Sequence, residues 1–123
     1  MKGLCLKINI FDKPVINIMK EITVQELKQK IDNNEDFQLI DVRESFEYEM
    51  SNINGENIPL AGILIEAQNI DRDKPVIIQC RSGARSAAAL MQLEQNFGFT
   101  NLYNLKGGIL AWAQAFEPDM QVY

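Results

Sequence analysis

Short apolar segments alternate along this chain with segments whose apolar residues recur at helical spacing. The short apolar segments lie at residues 37–42, 57–60, 75–80 and 101–105. Because strands that alternate with helices normally run parallel to one another, this pattern predicts an α/β fold with a parallel sheet. The 123 residues of the chain give room for one such domain.

Helices are expected between and after these strands. Thr23 and Glu26 form a capping-box pattern, which predicts a helix that ends near residues 33–34. A short helical turn is expected at 44–50. Longer helices are expected at 60–70, at 86–96 with Gly98 as the stop, and from Gly107 until Pro118 ends the last one.

The first 19 residues are set apart from this pattern. We expect the main domain to cover residues 20–123, with residues 1–19 as an N-terminal extension. Leu4, Leu6, Ile8 and Ile10 alternate with other residues, a pattern compatible with a half-buried edge strand. A loosely packed arm is the alternative.

The absence of histidine excludes several kinds of active site at once. Ser-His-Asp and Cys-His catalysis, metal sites with histidine ligands and imidazole general bases are all ruled out. The two cysteines, Cys5 and Cys80, are too few for a disulfide framework or a four-thiolate zinc site. We therefore expect no metal and no cofactor, and a reducing compartment fits this cysteine usage.

Charge and hydropathy narrow the set of partners. The net charge of −5 argues against nucleic acid and anionic membrane surfaces. No apolar run reaches the length of about 18 residues that suggests a membrane span, and the first residues lack the pattern of a signal peptide. We expect a cytoplasmic protein.

The chemistry is expected between the strand at 75–80 and the helix that follows it. Cys80 ends that strand, and a loop with Arg81, Gly83 and Arg85 leads to a helix that is expected to begin at Ser86. Backbone N–H groups of such a loop, the helix dipole and two arginines all favour a thiolate over a thiol. The alternative for Cys80 is a small buried core residue, which gains nothing from facing cations. Cys5 has no such surroundings, so we expect it to be structural or, at most, a resolving thiol for Cys80.

The loop and several other segments resemble the rhodanese-like sulfurtransferases. In that family a cysteine at a strand end begins a loop of the form C-R/K-x-G-x-R, and residues 80–85 match it in full. The likeness covers about residues 20–123 and includes the segments at 39–44, 46–48, 57–60 and 105–112. The sequence of residues 46–60 and 101–123 is most similar to the rhodanese-like domain that is fused to adenylyltransferases of molybdopterin and thiamine synthesis.

The resemblance implies a fold, a reaction and a set of site residues. The fold is α/β, with a parallel five-stranded sheet flanked by helices on both faces. Cys80 is the implied nucleophile and persulfide carrier, which takes sulfur from thiosulfate or a protein persulfide and passes it to a thiophilic acceptor. Arg85 stabilises the loop and its anion, and the implied substrate-binding residues are Arg81, Ser82, Gly83, Ala84 and Ser86.

Some of these residues have a purely structural role as the alternative. Arg81 could be a solvated surface charge, and Arg85 could form a structural ion pair. Asp41 and Arg43 follow a buried strand, where we expect an ion pair or loop anchor near the site in preference to a general base. The sequence departs from many relatives at Ser51 and Asn52, where they carry a Gly-His pair, and this bears on local packing more than on activity.

The length of the loop between Cys80 and Arg85 distinguishes sulfur transfer from phosphatase chemistry. Cysteine phosphatases use a longer loop between cysteine and arginine, whereas here only four residues separate Cys80 from Arg85. The tighter loop suits a single sulfur atom on Cys80, and the resemblance implies sulfur transfer for a loop of this size in preference to phosphatase or arsenate-reductase activity.

Three function classes stay open. They are a thiosulfate sulfurtransferase, a protein-to-protein relay with a sulfur-carrier protein or a cysteine desulfurase as partner, and a non-catalytic interaction module. An acidic stretch formed by Glu44, Glu47, Glu49 and Glu56 could dock a relay partner or be a solvated face.

Overall fold

A five-stranded parallel sheet forms the centre of the protein. The computed structural model describes residues 18–123, and the expectations for residues 1–17, including Cys5, lie outside this range. The strands are β1 (Glu21–Ile22), β2 (Gln38–Asp41), β3 (Glu56–Asn57), β4 (Val76–Gln79) and β5 (Leu102–Leu105). Their order across the sheet is β1-β5-β4-β2-β3, with every neighbouring pair parallel. The predicted α/β fold with five parallel strands is confirmed.

Within residues 18–123, four α-helices accompany the sheet: α1 (Val24–Asp32), α2 (Ser45–Met50), α3 (Ala84–Phe97) and α4 (Gly108–Phe116). Leu27 of α1 and Ile109 of α4 pack with Ile77 on one face. Leu90 of α3 packs with Ile78 on the other face. Helices therefore cover both faces, as predicted, and all four residues of the central strand β4 are buried. None of the helices between residues 18 and 123 is long and apolar enough to cross a membrane.

The ends of α1 and α3 are set by local sequence. Thr23 Oγ1 accepts a hydrogen bond from the Glu26 N–H at 3.1 Å, and the Thr23 N–H donates to Glu26 Oε1 at 2.9 Å, so the predicted capping box is present. Helix α3 begins at Ala84, two residues earlier than predicted, because Gly83 adopts a φ of +112° and caps the helix. Ser86 consequently lies within the first turn of α3.

The predicted helix at residues 60–70 is wrong. Two short 3₁₀ helices, Leu60–Gly62 and Ala67–Asn69, occupy this segment. Gly62 and the β-branched Ile63 and Ile65 all lower helix propensity, which opposes a continuous α-helix. Ile63 and Ala67 are nevertheless buried, so the apolar spacing reflects core packing on a tighter backbone.

The strand register places the candidate residues at one edge of the sheet. Asp41 at the end of β2 lies beside Gln79 at the end of β4, and Asn104 of β5 pairs with Ile78. Because carboxyl ends of parallel strands share an edge, the residues after β2 and β4 meet there. Cys80 follows Gln79 directly, at the centre of this edge.

Candidate active site

Cys80 lies at the mouth of a tight loop between β4 and α3. Its side chain is buried, with 1% of the residue exposed. The Gly83 N–H donates a hydrogen bond to Cys80 Sγ at 3.1 Å, and Ser86 Oγ lies 3.4 Å from the same sulfur. The loop therefore folds around the sulfur and aims hydrogen-bond donors at it.

The surroundings of Cys80 favour its thiolate. Burial by itself raises the pKa of the thiol, because a charged sulfur loses solvation. Hydrogen bonds from the Ser86 hydroxyl and from the backbone N–H groups of Ser86, Gly83 and Ser82 act in the opposite direction. These donors outweigh burial, so the pKa of Cys80 lies below its ordinary value.

The backbone of the loop is supported from behind by the start of α4. The Ile109 N–H donates to the Cys80 carbonyl at 2.9 Å, and the Leu110 N–H donates to the Arg81 carbonyl at 3.1 Å. Gly108 makes this approach possible, since a Cβ atom there would lie 2.5 Å from both carbonyl oxygens. The first turn of α4 thus fixes the position of the cysteine.

Arg85 forms a bidentate ion pair with Glu47 of α2. Its two terminal nitrogens donate to the Glu47 carboxylate at 2.7 and 3.0 Å. This pairing lowers the pKa of Glu47 and raises the pKa of Arg85. The guanidinium therefore ties the first turn of α3 to α2, and this is the ion pair that the sequence analysis gives as the alternative role of Arg85.

Arg81 lies on the outer side of the loop and is exposed, as are Ser82 and Ala84. Its Nε donates to the Tyr123 carbonyl at 2.5 Å. The Tyr123 ring packs edge-to-face on Phe46 with a centroid distance of 5.0 Å. The rim of the site thus combines a cation with two aromatic rings.

Asp41 and Arg43 form a fully buried ion pair beside the loop. Arg43 donates to both Asp41 carboxylate oxygens, at distances of 2.7–3.1 Å. It also donates to the Ser51 carbonyl at 2.8 Å, so both partners have their hydrogen bonds satisfied. The pair therefore anchors the segment after β2, and its hydrogen bonds go to that segment and not to Cys80.

Ser51 and Asn52, the departure from many relatives, have partners of their own. Ser51 Oγ donates to the Gln121 carbonyl, and Asn52 Nδ2 donates to the Tyr48 carbonyl at 3.0 Å. The first contact fixes the segment that leads to Tyr123, and the second satisfies the end of α2. The substitution is therefore accommodated by local hydrogen bonds.

Three residues that matter to this geometry were not singled out as site residues in the sequence analysis. Glu47 was grouped with an exposed acidic stretch, but it is buried against Arg85, so this part of the docking hypothesis is wrong. Gly108, which allows α4 to approach the loop, is not singled out in the sequence analysis. Asn104, buried behind the loop, was not considered, although a polar residue in an apolar strand is a visible signal.

The site has the means to hold an anion on sulfur without metal chemistry. Between residues 18 and 123 no group of three or more aspartate, glutamate or cysteine side chains could hold a metal ion. The donors around Cys80 are backbone N–H groups and one hydroxyl, and Arg85 contributes positive charge nearby. Such a site can stabilise a thiolate or a persulfide anion.

Comparison with known proteins identifies the family. The sequence profile described as Rhodanese-like domain matches residues 23–115. A sulfurtransferase of Allochromatium vinosum is 38% identical over 102 residues, which cover 82% of this chain and 94% of that protein. The rhodanese-like domain protein of Staphylococcus aureus, a crystal structure, has a TM-score of 0.72 and 32% identity, with 85% of this chain and 99% of that chain covered.

A longer relative matches as well. The Probable adenylyltransferase/sulfurtransferase MoeZ of Mycobacterium tuberculosis is 32% identical over 105 residues, covering 83% of this chain. The chain spans only about a quarter, 26%, of the length of that relative. The predicted similarity to adenylyltransferase-fused domains is confirmed by this match. The chain belongs to the rhodanese-like domain family of sulfurtransferases.

Proposed function

We propose that the protein transfers sulfur through a persulfide on Cys80, with thiosulfate or a protein persulfide as donor. The observation that carries the proposal is the set of donors around Cys80 Sγ, in particular the Gly83 N–H at 3.1 Å. A loop of this shape gives a nucleophilic thiolate and then stabilises the anion that the reaction forms on the same residue.

The first half-reaction loads the enzyme. The Cys80 thiolate attacks the outer sulfur of thiosulfate and forms a new S–S bond. The S–S bond within thiosulfate breaks, and its electron pair leaves with sulfite. Cys80 then carries a persulfide anion, and the total charge is unchanged. No proton moves in this step, so a chain without histidine can perform it.

The second half-reaction unloads the enzyme. An acceptor such as cyanide or a thiolate attacks the outer persulfide sulfur, and the electron pair of the breaking S–S bond returns to Cys80. The N–H groups of Ser82, Gly83 and Ser86 hold the anion during both steps, and Ala84 lines the entrance. Arg85, fixed by Glu47, keeps the first turn of α3 in place and adds positive charge. Arg81, exposed at the entrance, binds the anionic donor.

Intact-mass spectrometry and a cyanide assay test this proposal together. Thiosulfate should add the mass of one sulfur to the protein, and cyanide should remove it with release of thiocyanate. Cys80→Ser should abolish both, whereas the matched variant Cys5→Ser should retain both. A sulfur adduct that survives in Cys80→Ser would contradict the proposal, and the absence of any adduct in the wild type would exclude thiosulfate as the donor.

A protein-to-protein relay is the second candidate. Phe46 and Met50 on α2 are 51% and 52% exposed beside the site, which suits contact with a partner protein. The partner would be a sulfur-carrier protein or a cysteine desulfurase. A wild-type protein that gains one sulfur but turns over cyanide very slowly would favour the relay over thiosulfate turnover.

A further inference from the structure

Asn104 lies behind the catalytic loop and contacts two of its residues. It belongs to β5 and is only 4% exposed. Its amide Nδ2 donates to the Gly83 carbonyl at 3.2 Å, and its Oδ1 accepts a hydrogen bond from Ser86 Oγ at 2.5 Å. The Gly83 contact fixes the orientation of the amide, so the oxygen must face Ser86.

The Ser86 hydroxyl has more acceptors than it has protons. Its oxygen lies 2.5 Å from Asn104 Oδ1, 3.2 Å from the Gly83 carbonyl and 3.4 Å from Cys80 Sγ. A hydroxyl carries one proton, so it can serve only one of the three well at a time. Ser86 is fully buried, and the shortest of these contacts assigns the proton to Asn104 while Cys80 is a neutral thiol.

Ionisation of Cys80 changes which acceptor the Ser86 hydroxyl proton prefers. A hydrogen bond to a charged sulfur is stronger than one to an amide oxygen, so the thiolate attracts the Ser86 proton. When the hydroxyl turns toward Cys80, Asn104 Oδ1 loses its donor inside the protein, which carries a cost. The same cost applies when a persulfide anion takes the place of the thiolate.

We propose that Asn104 is a positioning residue that tunes the ionisation of Cys80 by competing for the single proton of the Ser86 hydroxyl. The proposal deepens the proposed function, since the thiolate is the attacking group there. Removal of the Asn104 oxygen frees Ser86 to serve the sulfur. Removal of Ser86 makes Asn104 irrelevant to the sulfur, because no shared proton remains.

The charged groups around the loop stay the same in the alanine variants of the test. They are Arg81 on the loop, Arg85 on α3, Glu44 at the N-cap of α2, Glu47 on α2, and the Asp41–Arg43 pair at the end of β2. A change in the titration of Cys80 can therefore be assigned to the hydroxyl and the amide.

The test measures the rate of alkylation by iodoacetamide against pH, in a Cys5→Ser background so that only Cys80 reacts. Ser86→Ala should raise the midpoint of the profile. Asn104→Ala should lower it, with up to about a tenfold change in the ionisation constant. In the Ser86→Ala background, Asn104→Ala should leave the midpoint unchanged. A midpoint that rises in both backgrounds would overturn the proposal, because a merely structural role for Asn104 predicts that result.

Asn104→Asp keeps the test decisive if Asn104→Ala does not melt cooperatively. The carboxylate is a stronger acceptor than the amide oxygen, although it cannot donate to the Gly83 carbonyl as Nδ2 does. The midpoint should therefore rise, and it should rise less when Ser86 is also replaced by alanine. An equal rise in the two backgrounds would mean that charge alone acts, which refutes competition for the proton. Alkylation requires no sulfur transfer, so this result is independent of the mass-spectrometric test of the proposed function.

Discussion

Gly108→Ala should displace the catalytic loop although it changes no residue of that loop. A Cβ atom at position 108 would lie 2.5 Å from the carbonyl oxygens of Cys80 and Arg81 and 2.7 Å from the Arg81 carbonyl carbon. These are backbone atoms, which cannot move aside as a flexible side chain can. The loop and the start of α4 must therefore separate by about 0.5 Å or more before the contact is tolerable.

The cost of this separation can be worked out from the contacts. Gly108 has a φ of +60°, and a non-glycine residue in this left-handed region costs about 1 kcal/mol. The separation also stretches the hydrogen bonds from Ile109 and Leu110 to the loop carbonyls, each worth about 1 kcal/mol. We expect Gly108→Ala to lower the free energy of unfolding by about 3 kcal/mol. We also expect it to change the pH dependence of the alkylation rate of Cys80.

Gly98→Ala is the matched control. Gly98 ends α3 with a φ of +67°, and a Cβ atom there would have nothing within 4 Å. This variant should lose only the conformational term of about 1 kcal/mol in urea unfolding and should keep sulfur transfer. Equal losses of stability in the two variants, together with unchanged Cys80 reactivity in Gly108→Ala, would refute the argument that α4 fixes the loop through a close backbone approach.

Two further predictions concern the arginines of the loop. Glu47→Gln should lose about 1–2 kcal/mol of stability at pH 7, because it breaks the pair with Arg85. The pairing lowers the pKa of Glu47 from its ordinary value of 4.5, so the stabilisation is complete above pH 4.5 and the deficit of the variant should vanish as the pH falls further. Glu49→Gln on the exposed side of α2 is the control, and a deficit that persists at low pH would contradict the ionic origin. Arg81→Ala should raise the KM for thiosulfate about tenfold with little change in kcat, and Arg81→Lys should recover part of this loss; a fall in kcat alone would exclude a donor-binding role.

Those parts of the fold that depend on local pattern could be predicted from the sequence. The strand that ends at Cys80 is bounded by Pro75 and the loop glycine, and its apolar run is typical of a buried parallel strand. The start of α1 follows from Thr23 and Glu26, which lie on the same turn. Each signal lies within a few residues of the feature that it predicts.

The contacts that hold the site in place could not be predicted in this way. Glu47 and Arg85 are 38 residues apart, and Ser86 and Asn104 are 18 residues apart. Their pairing depends on the strand order, which brings the ends of β2, β4 and β5 to one edge. The helix prediction for residues 60–70 was wrong for a different reason. Apolar residues at helical spacing can also be buried by short 3₁₀ turns, so their spacing alone does not distinguish the two structures.

The absence of histidine has a clear physical meaning at this site. Among residues 18–123, the groups that donate to the Cys80 sulfur are backbone N–H groups and the hydroxyl of Ser86, and none of these titrates near neutral pH. Arg85 stays protonated, and its partner Glu47 stays ionised because each raises the stability of the other's charge. The acidity of Cys80 is therefore set by the geometry of the loop and by which acceptor takes the Ser86 proton. An acidic protein can hold a reactive anion in this way, because the stabilising dipoles are fixed by backbone hydrogen bonds to α4 and do not depend on the net charge of the chain.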